Sequence, residues 1–145
     1  MPVESDAERL RAAGLRVTQP RLAVLATVRG RPHLDADTIT RLARGRLGRL
    51  SGQAVYDVLH ALTGAGLLRR FVPAGGPARY EVRGPDHDHL ICRECGVISD
   101  TGRSPAPGPC LDPSTAATFA VEFAEVTYWG RCPDCQQRHL SGGDR

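Results

Sequence analysis

The sequence predicts an α+β protein in two parts: a helical N-terminal part that ends in a β-hairpin, and a small α/β C-terminal part. Helix-capping residues and apolar repeats recur through residues 4–64, and two strand-like runs follow at Leu67–Val72 and Arg79–Arg83. Gly84-Pro85 then interrupts the pattern, because a residue before proline is disfavoured in a helix. Helices followed by a hairpin are the element order of a winged helix.

Four helices are predicted in the N-terminal part. The first covers residues 4–13, and Thr18, Asp35 and Ser51 can cap the next three. The fourth helix has the clearest apolar face, at i, i+3, i+4 and i+7, and this face consists of Val55, Val58, Leu59 and Leu62. The turn Ala74-Gly75-Gly76-Pro77 joins the two strand-like runs. Residues 1–83 are therefore predicted to form one domain.

Residues 84–86 are predicted to be a hinge, and residues 87–145 a second domain. We expect that neither part buries a large apolar core alone, and that a metal and dimerisation stabilise the second domain. Its predicted elements are strands at His89–Cys92 and Val97–Asp100, a proline-rich loop over Gly102–Pro113, a short helix around Ser114–Ala120 and a strand at Val121–Trp129.

Composition excludes several classes of protein. The chain has 145 residues, 41% apolar and 24% charged, and it contains no apolar run of about 18 residues that could span a membrane. Glu4, Asp6 and Glu8 stand where a secretory signal would be apolar, so we expect a cytoplasmic protein without a membrane partner.

The charge is unevenly distributed along the chain. Residues 1–83 hold 14 arginines against seven acidic residues, whereas residues 84–145 hold five arginines against nine. This asymmetry indicates that the first part meets a polyanion. On charge alone, the uneven distribution is explained equally well if both parts simply have ordinary surfaces exposed to water.

Two CxxC pairs, Cys92-x-x-Cys95 and Cys132-x-x-Cys135, are separated by 36 residues. Four thiolates in two such knuckles are typical of a tetrahedral structural zinc site. Two redox pairs are the alternative, but a redox CxxC normally opens a helix after a strand, and neither pair is predicted to lie there. Cys110 is left over as a spare thiol in a loop.

A second group of possible ligands contains histidine. His87-Asp88-His89 puts two imidazoles on one side of an extended segment, where they are either a ligand pair or two surface residues. His33 lies in a predicted loop after the second helix, and Glu81 in the second wing strand. His139 lies in a polar tail for which we predict no role.

With these residues the chain resembles the ferric uptake regulator (Fur) family over essentially its whole length. The matching segments are Leu15-Arg16-Val17-Thr18-Gln19-Pro20-Arg21, Ala54-Val55-Tyr56-Asp57-Val58-Leu59 and His87-Asp88-His89-Leu90-Ile91-Cys92-Arg93-Glu94-Cys95-Gly96. Residues 51–57, 108–111 and 128–135 are similar to the peroxide-responsive branch often called FurA or CatR, which typically controls catalase-peroxidase genes.

The resemblance implies two metal sites. Structural Zn(II) would be held by Cys92, Cys95, Cys132 and Cys135. A regulatory divalent ion would be held by His33, Glu81, His87, His89 and Asp100, which are donors suited to Fe(II) or Mn(II) and acceptable to Zn(II) or Ni(II). Many members have further ligands where this chain has Asp86 and Ala124, so we do not expect a complete third site.

The resemblance also implies a function. We expect a homodimeric, metal-dependent transcriptional repressor that binds double-stranded operator DNA, takes no small organic substrate and is not an enzyme. Regulatory ligands from both sides of the hinge would clamp the two domains in the orientation that fits DNA. The expected DNA contacts are Ser51, Gln53 and Tyr56 on the fourth helix, and Arg16, Arg21, Arg69 and Arg70 on phosphate. Many members have an arginine at Asp57, so the family's operator does not transfer.

Other functions stay open. A zinc or nickel uptake regulator of the same family fits the same ligands, and a zinc hydrolase on His87, His89 and Glu81 or a thiol oxidoreductase is more remote. Within the leading interpretation, we expect peroxide to act at the regulatory metal. Four of the five cysteines are assigned to zinc, and Asp100 is the acid that the peroxide-sensing members carry.

Overall fold

The computed structural model describes residues 2–73, 75–84, 87–102, 118–121 and 124–142. The chain divides into two compact units, Met1–Gly84 and Pro85–Arg145, with a boundary inside the segment 84–86 that the sequence predicts as a hinge. Pro85, Asp86 and Cys110 lie outside the described residues. In the described ranges, every helix is too short or too polar to cross a membrane.

Four capped helices build the first unit. Thr18, Asp35 and Ser51 each accept a hydrogen bond from a backbone N–H of the helix that follows, as the sequence predicts. Ser5 and Glu8 form a reciprocal capping box on the first helix, so this helix is shorter than the predicted range of 4–13. The helices are α1 (Asp6–Ala12), α2 (Gln19–Gly30), α3 (Ala36–Leu47) and α4 (Gly52–Gly64).

A three-stranded antiparallel sheet completes this unit. Its strands are β1 (Leu34–Asp35), β2 (Leu68–Phe71) and β3 (Arg79–Val82), in the order β1-β3-β2. β2 and β3 are the predicted hairpin, although Ala74 of its turn lies outside the described residues. β1 was not predicted, because two residues are too few to show an alternating pattern. The predicted order of helices and hairpin is thereby confirmed as a winged helix.

Apolar side chains from all four helices and the sheet meet in one core, so the prediction that neither part buries a large core is wrong for the first unit. The predicted apolar face of α4 is buried in full, and its residues are Val55, Val58, Leu59 and Leu62. Each such side chain contributes about 1.5–3 kcal/mol when it is fully buried. The core therefore fixes which side of α4 faces inward and which side faces solvent.

The second unit combines a mixed sheet with one helix. Its elements are β4 (His87–Cys92), β5 (Ile98–Gly102), β6 (Thr127–Gly130) and α5 (Pro133–Ser141). β4 is central, antiparallel to β5 and parallel to β6. β6 is shorter than the predicted strand over 121–129, and the helix predicted around 114–120 lies mostly outside the described residues. α5 replaces the expected polar tail; it buries only Cys135, so it has no apolar repeat to predict it.

Candidate functional site

The two cysteine pairs lie where strands of the second unit end. Cys92 is the last residue of β4, and Gly96 closes the turn after it with a φ of +76°, donating its N–H to the carbonyl of Cys92 at 3.0 Å. Glycine suits this left-handed conformation because it has no Cβ. Cys132 is the N-cap of α5, and Cys135 lies in its first turn.

The four sulfur atoms of these pairs form one cluster. All four lie within 4.8 Å of one another, and the Sγ atoms of Cys95 and Cys132 are 3.7 Å apart. Zn–S bonds of about 2.3 Å in a tetrahedron put sulfur atoms about 3.8 Å apart. The cluster therefore has the donors and the spacing that a closed zinc site requires, and all four cysteines are free of disulfides.

Backbone hydrogen bonds and burial divide these thiols into two kinds. The N–H groups of Cys95 and Cys132 donate to the Cys92 sulfur and lower the pKa of that thiol to about 6. Burial raises the pKa of the Cys135 thiol to about 12. The Cys92 thiol is thus predisposed to lose its proton, whereas the buried Cys135 thiol holds its proton more strongly.

The second cysteine pair does not lie where the sequence predicts it. The second pair does open a helix after a strand, because β6 leads through Cys132 into α5. A redox motif needs only its own two cysteines, whereas here the sulfur atoms of both CxxC pairs lie in one cluster. The distances among the four sulfur atoms favour zinc, whereas the position of a CxxC motif at the start of a helix does not distinguish zinc from a redox role.

Ion pairs connect α5 and the residues just before it to the first knuckle, which is the turn between Cys92 and Cys95. Glu94 lies between Cys92 and Cys95, and its Oε1 is 2.8 Å from the His139 Nε2 and 2.7 Å from the Arg131 Nε. His139, for which we predict no functional role, contacts the knuckle from α5 through this ion pair and belongs to neither group of metal donors. Sequence reasoning missed the contact because it had not placed a helix there.

His33 and Glu81 form a donor pair in the first unit. The His33 Nε2 lies 3.2 Å from a carboxylate oxygen of Glu81, which is only 3% exposed. His33 has a φ of 66°, and it is the only non-glycine residue in the described ranges with a positive φ. Its N–H donates to the carbonyl of Tyr80, and its ring packs edge-on against Phe71. This left-handed conformation costs about 1–2 kcal/mol, and the hydrogen bond to Tyr80 helps to hold it.

His87, His89 and Asp100 form a second donor set, in the second unit. His89 and Asp100 are register partners on β4 and β5, and one carboxylate oxygen lies 3.3 Å from the His87 Nε2 and 3.6 Å from the His89 Nε2. The imidazole centroids are 4.9 Å apart, so both rings lie on one side of β4. Imidazoles with carboxylate suit Fe(II) or Mn(II), as the sequence predicts for the cofactor.

The side of α4 that faces solvent is a polar stripe. Its residues are Gln53, Tyr56, Asp57 and His60, all exposed, at i, i+3, i+4 and i+7. Tyr56 is 52% exposed and is absent from the apolar core. Ser51 begins the helix and accepts a hydrogen bond from the N–H of Ala54. We call these four exposed residues the α4 stripe.

The four arginines expected on phosphate differ in their surroundings. Arg16 and Arg70 are exposed, and the guanidinium of Arg21 donates to the carbonyl of Arg16 at 2.8 Å. Arg69 instead lies opposite Glu81 in the sheet, with 3.9 Å between their charged atoms and a side chain 17% exposed. Arg69 therefore compensates the charge of a buried carboxylate, so its guanidinium is less available to a phosphate.

Residues 12–105 match the model of the Ferric uptake regulator family. The chain belongs to this family. The matched range contains both imidazole–carboxylate sets, the α4 stripe and the first cysteine pair. As a Fur family member, the protein is a transcriptional regulator and not an enzyme, as the sequence predicts.

Curated relatives and solved Fur structures agree with this assignment. Transcriptional regulator FurA of Mycobacterium tuberculosis is 54% identical over 130 residues, which are 89% of this chain and 88% of the relative. The Vibrio cholerae ferric uptake regulator is 27% identical, covers 87% of this chain and 98% of its own, and superposes with a TM-score of 0.64. Fur of Helicobacter pylori, described with three functional metal binding sites, shares the fold: it is 24% identical, with a TM-score of 0.70 and coverage of 94% and 95%. The resemblance to the FurA-like branch is thus supported.

Proposed function

We propose that this Fur family chain is a metal-dependent transcriptional repressor that binds operator DNA as a homodimer. The supporting observation is that each unit carries a partial set of metal donors. His33 and Glu81 belong to the first unit, whereas His87, His89 and Asp100 belong to the second. Neither set has more than three donors, fewer than the five or six that Fe(II) or Mn(II) commonly takes.

We infer that one divalent ion takes ligands from both sets. Three neutral imidazoles and two carboxylates balance the charge of such an ion. Residues on both sides of the 84–86 segment would then be held in one arrangement, and the regulator would repress only in that arrangement. Burial of Glu81 and the fixed backbone of His33 preorganise the first set for this role.

DNA binding is assigned to the α4 stripe. The stripe is exposed because the opposite face of α4 fills the core, and a helix of this kind fits the major groove. Tyr56 and Gln53 offer contacts to base edges, Ser51 lies at the helix N-terminus, and Arg16, Arg21 and Arg70 offer contacts to phosphate. A dimer would present two α4 helices to half-sites about 34 Å apart, in the cytoplasm where operator DNA lies.

An electrophoretic shift of candidate promoter duplexes tests the proposal. The full chain is assayed with Fe(II), Mn(II), Zn(II), Ni(II) or chelator, beside Glu81→Gln, His87→Ala and the control His139→Ala. We expect the wild type and the control to bind the duplex when Fe(II) or Mn(II) is added. Glu81→Gln and His87→Ala should not bind it with either metal, although both should keep zinc. Binding in chelator would overturn the metal dependence, and a response to Zn(II) or Ni(II) alone would favour an uptake regulator for those metals.

We further infer that hydrogen peroxide is the signal and that catalase genes are the targets. The name of the mycobacterial relative and the similar segments at 51–57 and 128–135 support this branch. With Fe(II) present, peptides carrying His33 or residues 87–89 should gain one oxygen atom after peroxide treatment, whereas Mn(II) should protect them. Mass spectrometry measures this, and oxidation confined to the cysteines would contradict it.

A further inference from the structure

Two residues of the α4 stripe are joined by a hydrogen bond. The Nε2 of Gln53 donates to the Oδ1 of Asp57 at 2.9 Å, across one turn of the helix. Both side chains are exposed, and Tyr56 lies beside them on the same face. A pair at i and i+4 can form on any helix surface, so its meaning depends on which hydrogen-bonding groups remain free.

The bond changes what Gln53 can offer to a base. A glutamine amide has two N–H donors and one carbonyl acceptor, and Asp57 occupies one of these donors. One donor and one acceptor remain, which match the N7 acceptor and N6 donor of adenine in the major groove. Guanine presents two acceptors there, and an amide with one donor in use cannot satisfy both.

We propose that Asp57 is a positioning residue that restricts Gln53 to adenine. This rests on the proposed use of the α4 stripe as the DNA-reading surface. The carboxylate acts in two ways: it fixes the orientation of the Gln53 amide, and its negative charge weakens attraction to phosphates of any sequence. Asp57 thus lowers affinity in general while it sharpens discrimination at one base pair.

Selection from a pool of randomised duplexes tests the proposal with the full chain loaded with Zn(II) and Mn(II). We expect the wild type to select adenine at one position of each half-site and Gln53→Ala to lose that preference alone. Asp57→Ala should accept guanine there about tenfold more readily, the scale of one good bidentate contact, and should bind unselected DNA more tightly. Asp57→Asn keeps an acceptor oxygen and should keep the adenine preference.

Two further measurements sharpen the result. Replacing the selected adenine by 7-deazaadenine, which lacks the N7 acceptor, should weaken the wild type and not Gln53→Ala. His60→Ala changes the other end of the same stripe and should leave the adenine position untouched. Because Asp57 is exposed, the melting temperatures of all variants should match the wild type.

The outcomes separate this inference from the proposed function. If the wild type selects no sequence with metal bound, the proposed function fails. If it selects a site and Asp57→Ala keeps full discrimination against guanine, only the positioning role is overturned. If the wild type also prefers cytosine at some position and both Asp57 variants lose that preference, the positioning role is overturned as well, because Asp57 itself then contacts a base.

Discussion

Replacing Cys95 by serine should unfold the second unit and leave the first one folded. Buried apolar side chains among the described residues of the second unit are Ile91, Cys92 and Cys135, and two of these three belong to the four-sulfur cluster. Burying one isoleucine contributes about 2–3 kcal/mol, whereas a structural zinc site contributes on the order of 10 kcal/mol. The metal is therefore the larger of the two stabilising contributions, and α5 depends on it most directly.

Calorimetry, limited proteolysis and size-exclusion chromatography measure the effect. The variant should lose zinc and the dimer, and α5 should be cleaved first, because Cys132 and Cys135 bind it to the sheet. The core of the first unit should still melt cooperatively. Cys110→Ser is the control and should behave as the wild type. A Cys95→Ser chain that remains dimeric and protected without bound zinc would refute the reasoning.

Three further predictions concern the first unit. Tyr56→Ala should reduce operator affinity and change the free energy of unfolding by no more than about 0.5 kcal/mol, because the side chain is half exposed. The buried control Leu59→Ala should lower the free energy of unfolding by about 2–5 kcal/mol. Chemical denaturation and DNA titration of both variants measure this, and equal destabilisation would place Tyr56 in the core. Arg70→Ala should reduce the slope of log K against log salt by about one for any sequence, and an unchanged slope would exclude a phosphate contact. The hydrogen bond from Thr38 lowers the pKa of Asp35 from 3.8, so Asp35→Ala should cost about 1 kcal/mol above that pH. This difference should shrink steadily as the pH falls below 3.8, and urea unfolding over a series of acidic pH values measures it; a difference that stays constant would contradict the prediction.

Local sequence signals predict most of the first unit. Capping residues and apolar spacing act within a few positions of the chain, so Thr18, Asp35 and Ser51 begin their helices where expected. The apolar face of α4 also fixes the opposite, exposed face. This is why the α4 stripe follows from the sequence, although the bond between Gln53 and Asp57 depends on side-chain rotamers that no pattern specifies.

The errors lie where long-range contacts determine structure. β1 exists because Leu34 and Asp35 pair with β3, more than forty residues later in the chain. The same pairing explains the unusual backbone of His33, whose N–H reaches Tyr80. α5 has no apolar stripe and is joined to the sheet by sulfur and by Glu94, so its helical pattern is invisible to hydrophobic periodicity.

The two kinds of metal donor in this chain suit two different tasks. Four thiols in a closed cluster suit a soft ion that is bound tightly, and we expect the fold of the second unit to depend on that ion. Imidazole and carboxylate donors bind Fe(II) or Mn(II) more weakly, because these ions stand low in the order of divalent affinities. The first unit has its own apolar core, so we expect an exchangeable ion to change its activity without deciding whether α4 is folded. A regulator needs this separation, since a signal that unfolded the reading helix would destroy the protein that has to respond again.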